Sequence, residues 1–163
     1  NDITSDVTTT TDPTAAEMEK AILKSVEAIL GFKDDQGEPM NEGASLFRVM
    51  VPVPFMSAAA AALKNPVIVD GSGSRTNTIT NLGGFSFALD VNSRLSWTTK
   101  LAVFRADGNT KPFIRQEEEP VSMAAISDGS DLEFNEKKHH YGVSASRNVG
   151  YGYWQHGCLV TLI

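Results

Sequence analysis

Tyr141-Gly-Val-Ser-Ala-Ser-Arg-Asn-Val-Gly-Tyr-Gly-Tyr-Trp-Gln155 is the stretch that decides how the rest of this chain is interpreted. Its first ten residues alternate between two faces, which predicts a β-strand. One face would be mostly apolar and the other small and polar. The Gly-Tyr-Gly-Tyr-Trp run that follows holds too much glycine for a helix and too many rings for a solvated loop. We therefore expect a packing element, with Tyr151, Tyr153 and Trp154 clustered where a sheet meets a helix or a neighbour.

Composition limits the classes of function. The chain has 163 residues, of which 41% are hydrophobic, so it can build a core in one domain or two small lobes. A net charge of -6 argues against a nucleic-acid-binding surface dominated by basic residues. The single cysteine, Cys158, cannot form an internal disulfide, and its apolar neighbours indicate a buried structural thiol. No apolar run reaches the length of about 18 residues that a membrane span needs.

Local signals predict a mixed α+β chain. Residues 1–13 are Thr-rich and polar and are predicted to be a flexible lead-in. Thr14 and Glu17 form a capping-box pattern at the start of a helix over 14–30, and Gly31 suits its end. A second, Ala-rich helix follows Pro54 over 55–63. Residues 70–77 are predicted to be a flexible loop. Strands are predicted at 46–51, 67–69, 76–80, 85–91, 96–105, 111–118 and 139–150. The strands at 96–105, 111–118 and 139–150 are predicted to form one sheet.

Candidate chemistry is weak throughout the chain. Seven acidic residues lie within 117–137, at positions 117, 118, 119, 128, 131, 133 and 136. Such a cluster normally forms an exposed face. Paired carboxylates could perform acid–base chemistry only if burial or a neighbour separated their pKa values. His139 and His140 would point to opposite faces of a strand, so they would rarely bind one metal ion. We therefore predict no catalytic, cofactor-binding or metal-binding residue. The alternative that remains open is a small α/β enzyme or ligand-binding domain that uses the acidic region 117–140.

Two motifs resemble a known family. Lys111-Pro-Phe-Ile-Arg-Gln-Glu-Glu118, an acidic stretch, and then Tyr141–Gln155 are similar in order to the C-terminal signature of the Mu-type phage major head subunit. The Lys33–Pro39 turn and Val51-Pro-Val-Pro54 also fit that family. The resemblance implies a capsid protein of the Hong Kong 97 type. Because no long spine helix is readable, the chain resembles the C-terminal part of such a subunit, and the start at Asn1 fits a processed product or fragment.

The resemblance also sets expectations for organisation and partners. It implies an axial lobe over 14–105, with a mixed sheet flanked by helices. It also implies a peripheral lobe over 106–163, with long antiparallel strands and an acidic loop. One strand of this second region could return to the first lobe. Partners would be copies of the same chain in capsomers and other virion or scaffolding proteins, without sequence-specific nucleic acid or a membrane. The location would be the virion capsid, assembled in the host bacterial cytoplasm. The residues predicted to serve assembly or packing are Tyr141, Asn148, Tyr151, Tyr153, Trp154, Gly71 and Arg75, with Gly71–Arg75 at the capsomer axis.

Overall fold

The structure is a computed structural model that describes residues 1–71, 73–126 and 129–163. These residues form nine strands and four α-helices, so the predicted α+β class is confirmed. The strands are β1 Asp2–Ser5, β2 Leu46–Val51, β3 Val67–Asp70, β4 Gly73–Thr76, β5 Ser86–Val91, β6 Lys100–Arg105, β7 Phe113–Ile126, β8 His140–Tyr151 and β9 Gly157–Leu162. The helices are α1 Ala15–Gly31, α2 Met56–Lys64, α3 Thr78–Asn81 and α4 Asp131–Glu136, with 3-10 turns at Val53–Phe55 and Trp154–His156.

The chain divides into two compact units. The body comprises residues 1–112 and 152–163, and the ribbon comprises residues 113–151. This division differs from the predicted boundary between 105 and 106. The reason is that β9, near the C-terminus, returns to the body and pairs with β6 there. The body therefore contains residues from both sides of the ribbon in sequence.

The body is built on a five-stranded mixed sheet in the order β1-β9-β6-β2-β5. The two outer pairs are parallel, and the two central pairs are antiparallel. Val49 lies opposite Val103, which in turn lies opposite Cys158, and all three side chains are buried. Alternate residues of β2, β6 and β9 thus face one core, which α1 and α2 supply with their own apolar residues.

Helix α1 forms where the capping box predicts it. The Thr14 N–H donates to Glu17 Oε2 (2.8 Å), and the Glu17 N–H donates to Thr14 Oγ1 (3.3 Å). Met18, Ile22 and Ile29 are fully buried, as their helical spacing predicts. The helix ends one residue later than predicted, because Gly31 remains helical and Phe32 leaves the helix with extended backbone angles.

Three local predictions in the body are wrong. The predicted flexible loop over 70–77 contains β4, which pairs with β3 as an antiparallel hairpin; Ser72 lies outside the described residues. The predicted strand over 76–80 is instead the short helix α3, because the buried Asn77 side chain caps it by accepting the Ile79 N–H (2.9 Å). The predicted strand at 96–105 begins at Lys100. The strands predicted at 46–51, 67–69 and 85–91 are confirmed within a residue.

Two larger predictions also need correction. The lead-in 1–13 was expected to be flexible, yet β1 completes the sheet by pairing in parallel with β9, and Ile3 and Val7 pack against the core. The strands near 96–105, 111–118 and 139–150 do not form one sheet. Both edges of β6 are already taken by β2 and β9, and among the residues that the structure describes β7 pairs only with β8, in a separate two-stranded sheet. No described helix is long and apolar enough to cross a membrane.

Candidate assembly surface

The ribbon is a long antiparallel hairpin of 14 and 12 residues, β7 and β8. Every side chain in β7 is exposed, and in β8 only Ser146 is half-buried. A two-stranded sheet with so little burial is marginally stable alone in water. Exposed large apolar side chains are concentrated in this unit, and they include Phe113, Ile114, Val121, Met123, Ile126, Phe134, Tyr141, Val143, Val149 and Tyr151.

The two faces of the ribbon differ in chemistry. Cross-strand partners Met123 and Val143, and partners Phe113 and Tyr151, belong to the face on which β8 carries its apolar residues, the face that the sequence alternation predicts. The opposite face carries the small polar side chains of β8. There the Ser122 and Ser144 hydroxyl groups are 2.7 Å apart, and the Ser146 hydroxyl donates to Glu118 Oε2 at 2.9 Å. Strand β8 therefore presents one largely apolar face and one hydrogen-bonded polar face, whereas β7 also places Ile114 and Ile126 on that second face, opposite Gly150 and His140.

The two strands also differ in regularity. The register along β7 shifts between Glu117 and Glu119 and again between Glu119 and Ser122, around Pro120, and at each shift β7 spans one residue more than β8. Each shift places an extra residue on β7, which is the geometry of a β-bulge. One acidic residue of β7 is ion-paired within the same strand, since Arg115 Nη2 donates to Glu117 Oε2 at 2.5 Å.

The predicted aromatic cluster is distributed over separate ring contacts. Trp154 packs edge-on against Phe32 with ring centroids 5.5 Å apart. Tyr153 lies 5.7 Å from the imidazole of His156. Tyr151 lies 6.1 Å from Phe113, across the ribbon, and is 90% exposed. Trp154 and Tyr153 thus belong to the body and make ring contacts there while remaining exposed, whereas Tyr151 belongs to the ribbon surface.

The other predicted residues lie in both units. Tyr141 is exposed on the apolar face of the ribbon, and Asn148, on the polar face, accepts the Val149 N–H at 2.8 Å. Gly71 has a φ of +61° at the tip of the β3–β4 hairpin, a conformation that glycine adopts without strain. The Arg75 guanidinium is ion-paired with Glu19 and also contacts Asp70 (3.3 Å). It therefore holds the hairpin against α1, and a role at a capsomer axis stays a prediction.

The acidic region is divided between β7 and α4. Glu133 takes part in the start of α4, where its Oε2 accepts the Gly129 N–H (2.8 Å) and its N–H donates to Ser130 Oγ (3.3 Å). His139 lines an open depression beside Glu133 and Lys137. Asp128 and the side chain of Asp131 lie outside the described residues. Within the described ranges, no group of three or more His, Cys, Asp or Glu side chains is arranged to hold a metal ion.

Three side chains with shifted pKa values lie near the end of β6 in the body. Burial lowers the pKa of His156, and the positive charges of Arg105 and Lys111 lower it further. Burial raises the pKa of the Cys158 thiol, which is 1% exposed, as expected of a structural cysteine. Burial alone would raise the pKa of Asp107, but hydrogen bonds from Arg105 and Ser45 outweigh it and lower that pKa. Of these groups, Asp107 joins the end of β6 to Ser45, whose N–H donates to Asp107 Oδ2 at 2.7 Å.

Sequence reasoning missed the second half of the apolar ribbon face. It ended the strand near residue 118 because Glu117, Glu118, Glu119 and Pro120 break the apolar pattern. The chain resumes alternation after Pro120, with apolar Val121, Met123 and Ala125 on alternate positions. That second run is the signal that could have extended β7 to Ile126.

One family comparison bears on this surface. Residues 92–160 match the family model described as the Mu-like prophage major head subunit gpT. The matched segment includes β6, the whole ribbon and most of β9. The resemblance inferred from 111–118 and 141–155 is therefore confirmed for the C-terminal portion of the chain. A comparison with curated proteins gave no match. The family match supports a structural role in a phage capsid.

Proposed function

We propose that this chain, whose C-terminal portion matches the Mu-like major head subunit, self-assembles as a major capsid subunit into the icosahedral, DNA-containing shell of a tailed phage or prophage. The family match over 92–160 carries the proposal. In this role the chain acts by contact with copies of itself and catalyses no reaction.

The exposed ribbon supports this proposal physically. Among the side chains of the ribbon that the structure describes, ten large apolar ones are exposed: Phe113, Ile114, Val121, Met123, Ile126, Phe134, Tyr141, Val143, Val149 and Tyr151. Exposed apolar surface that is collected in one place marks an interaction site. A closed shell repeats the same few contacts many times, so each contact can be modest in area. We infer that the ribbon face is covered by neighbouring subunits in the shell.

The lobes of a capsid subunit can be assigned on the same basis. We assign the body, with its mixed sheet and covering helices, to the axial lobe, and the ribbon to the peripheral lobe. The β3–β4 hairpin, with Gly71 at its tip, is then the candidate for contacts around the capsomer axis. Tyr141, Asn148 and Tyr151 are the ribbon residues we assign to assembly, whereas Tyr153 and Trp154 pack within the body.

The charge of the chain sets expectations for other partners. A net charge of -6 does not favour binding to phosphate backbones, so we propose contact with packaged DNA without reading of its sequence. The acidic residues of β7 offer a docking surface for other virion or scaffolding proteins. Assembly would take place in the host bacterial cytoplasm, and the final location would be the virion capsid.

Solution mass and negative-stain imaging of the purified chain test the proposal. Rings of five or six copies, or shells, are expected, and they should weaken when Val143, 67% exposed on the ribbon, is changed by Val143→Ser. The matched control is Val53→Ser in the body, where the side chain is 52% exposed. A strict monomer at all concentrations, or a tight small-molecule ligand on a monomer, would contradict the proposal.

A further inference from the structure

The β8 sequence is nearly palindromic. The sequence is Tyr141-Gly-Val-Ser-Ala-Ser-Arg-Asn-Val-Gly-Tyr151. A tyrosine, a glycine and a valine occur at equal distances on either side of Ser146. The two departures are Ser144 against Asn148, both small and polar, and Ala145 against Arg147. A strand of this kind offers equivalent side chains when a second copy is laid antiparallel against it.

The outer edge of β8 is suited to such pairing. Within the described ranges, β8 pairs only with β7, so its other edge carries no partner strand. The outer edge of β7 is obstructed by Pro120, by two register shifts and by the charges of Glu117–Glu119, which are devices that prevent strand addition. Strand β8 has no proline and no extra residue in its register, and Arg147 is the one Lys, Arg, Asp or Glu in its sequence. Strand addition is therefore directed to β8.

The hydrogen-bonding phase of β8 fits the palindrome. The Val149 N–H is bonded to the side chain of Asn148 at 2.8 Å, and the Gly152 N–H donates across to Pro112 at 2.9 Å. Because residues alternate along a regular strand, even-numbered backbone groups face β7 and odd-numbered groups face the free edge. A two-fold axis at Ser146 pairs odd positions with odd positions, so outward-facing donors meet outward-facing acceptors. The Val149 N–H then exchanges its bond to the Asn148 side chain for the Val143 carbonyl of the second copy.

We propose that β8 pairs antiparallel with β8 of a second copy of this chain, around a two-fold axis at Ser146. This rests on the proposed function, because it names one contact by which head subunits associate. The two hairpins form a four-stranded sheet in the order β7-β8-β8-β7. On its apolar face each Tyr141 lies beside Tyr151 of the second copy, and each Val143 lies beside Val149 of the second copy. Such a contact is isologous and closes on itself.

The size of this contact fits a shell rather than an isolated dimer. Eleven residues extend over about 36 Å, and an edge about 10 Å thick buries roughly 700 Å² in total. Stable pairwise complexes bury about 1,200–2,000 Å². The strand pair is therefore weak alone and is reinforced by the other contacts of each subunit. A covalent trap is the suitable probe.

Cysteine trapping tests the register directly. At the axis, Ser146 lies opposite Ser146 of the second copy as a non-hydrogen-bonded pair, with Cα atoms about 4.5 Å apart. That separation allows a disulfide. We expect Ser146→Cys to form a disulfide-linked dimer on mild oxidation, at no less than tenfold the yield of Ser144→Cys. Native Cys158 is buried and does not compete.

Ser144→Cys is the matched control. Each serine hydroxyl makes one hydrogen bond across the ribbon, to Ser122 or to Glu118, so the two substitutions remove equivalent contacts. Residue 144 of one copy faces residue 148 of the other, so two copies of residue 144 lie about 13 Å apart, too far for a disulfide. A mixture of Ser144→Cys with Asn148→Cys is expected to cross-link. Equal yields from Ser146→Cys and Ser144→Cys would overturn the proposal.

The same variants separate this inference from the proposed function. Assembled rings or shells without preferential cross-linking at residue 146 would overturn the two-fold strand pair and leave the capsid role standing. Cross-linking at residue 146 without any assembly beyond dimers would support the strand pair and contradict the capsid role. Particles imaged from the reduced Ser146→Cys protein decide between these outcomes.

Discussion

The carboxylate of Glu19, on α1, is ion-paired with the guanidinium of Arg75, on β4. The Glu19 side chain is 1% exposed, and its second oxygen accepts the Thr78 N–H at 2.7 Å. A buried carboxylate is costly without such partners. The pair therefore joins α1 to both the β3–β4 hairpin and the start of α3. Arg75, which the sequence analysis assigned to a capsomer contact, thus has an ion-pair partner within its own chain.

Removal of Arg75 should destabilise the body. We expect Arg75→Ala to lower the free energy of unfolding by about 2–3 kcal/mol, because it leaves the Glu19 carboxylate buried with one partner fewer. Urea denaturation measures the change. The matched control is Lys20→Ala, which removes an exposed ion pair of 3.8 Å to Asp70 and should cost about 0.5 kcal/mol or less. Similar losses for the two variants would contradict the importance of the buried pair.

The capping carboxylate Glu17 should make stability depend on acid pH. Burial alone would raise its pKa, but hydrogen bonds from Thr14 and Thr8 outweigh burial and lower the pKa from 4.5 to about 2. A lowered carboxyl pKa contributes stability that is present above the unfolded value and is lost as pH falls from 4.5 towards 2. Glu17→Gln should therefore cost about 1–2 kcal/mol at pH 7 and show a smaller loss of stability between pH 4.5 and 2.

Exposed Glu27, on the same helix, provides the control for the loss of the cap. Glu27→Gln should change the free energy of unfolding at pH 7 by about 0.5 kcal/mol or less, because it removes no capping contact. The measurement is thermal unfolding followed by circular dichroism at pH 7 and across the range from pH 4.5 to 2. An unchanged slope in Glu17→Gln would show that the cap does not account for the acid sensitivity.

Local signals in the sequence were sufficient for α1 and β2 but not for the order of the strands. Thr14, Glu17 and the helical spacing of Met18, Ile22 and Ile29 all act within a few turns of one another, so α1 is predictable. Strand β1 is polar and pairs with β9, where Ile3 lies opposite Val160. Such a pairing depends on the distant partner rather than on local propensity, and the Thr-rich sequence gave no sign of it.

The candidate surface was predictable in its alternation but not in its exposure. The two faces of β8 follow from the sequence because side chains alternate along a strand. That neither face is covered depends on the sheet to which β8 belongs, and β7 was expected to pair with β6. The contact between Trp154 and Phe32 joins residues that are far apart in sequence. No spacing rule predicts that partner.

The close approach of Phe104 to Gly157 predicts a steric effect in the body sheet. These residues are cross-strand partners on β6 and β9, and a Cβ atom on Gly157 would lie 2.9 Å from Cδ1 of the Phe104 ring. Gly157→Ala should cost about 1–3 kcal/mol, because the ring must shift. In a Phe104→Ala background the same change should cost little, and a double-mutant cycle measures that difference. Gly43→Ala, where nothing lies within 4 Å of the added Cβ, is the control.

Removal of the ribbon should separate folding from assembly. The Pro112 carbonyl accepts the Gly152 N–H at 2.9 Å, so a short Gly-Ser linker can replace residues 113–151 without straining the body. The body keeps its five-stranded sheet and its core, to which none of the described ribbon residues belongs. We expect cooperative unfolding within about 1 kcal/mol of the full chain, measured by urea denaturation.

Because the exposed apolar face is absent, this variant should stay monomeric in sedimentation under conditions where the full chain assembles. Assembly without the ribbon would move the main contact to the body, and loss of folding would show that the ribbon is part of the folded core.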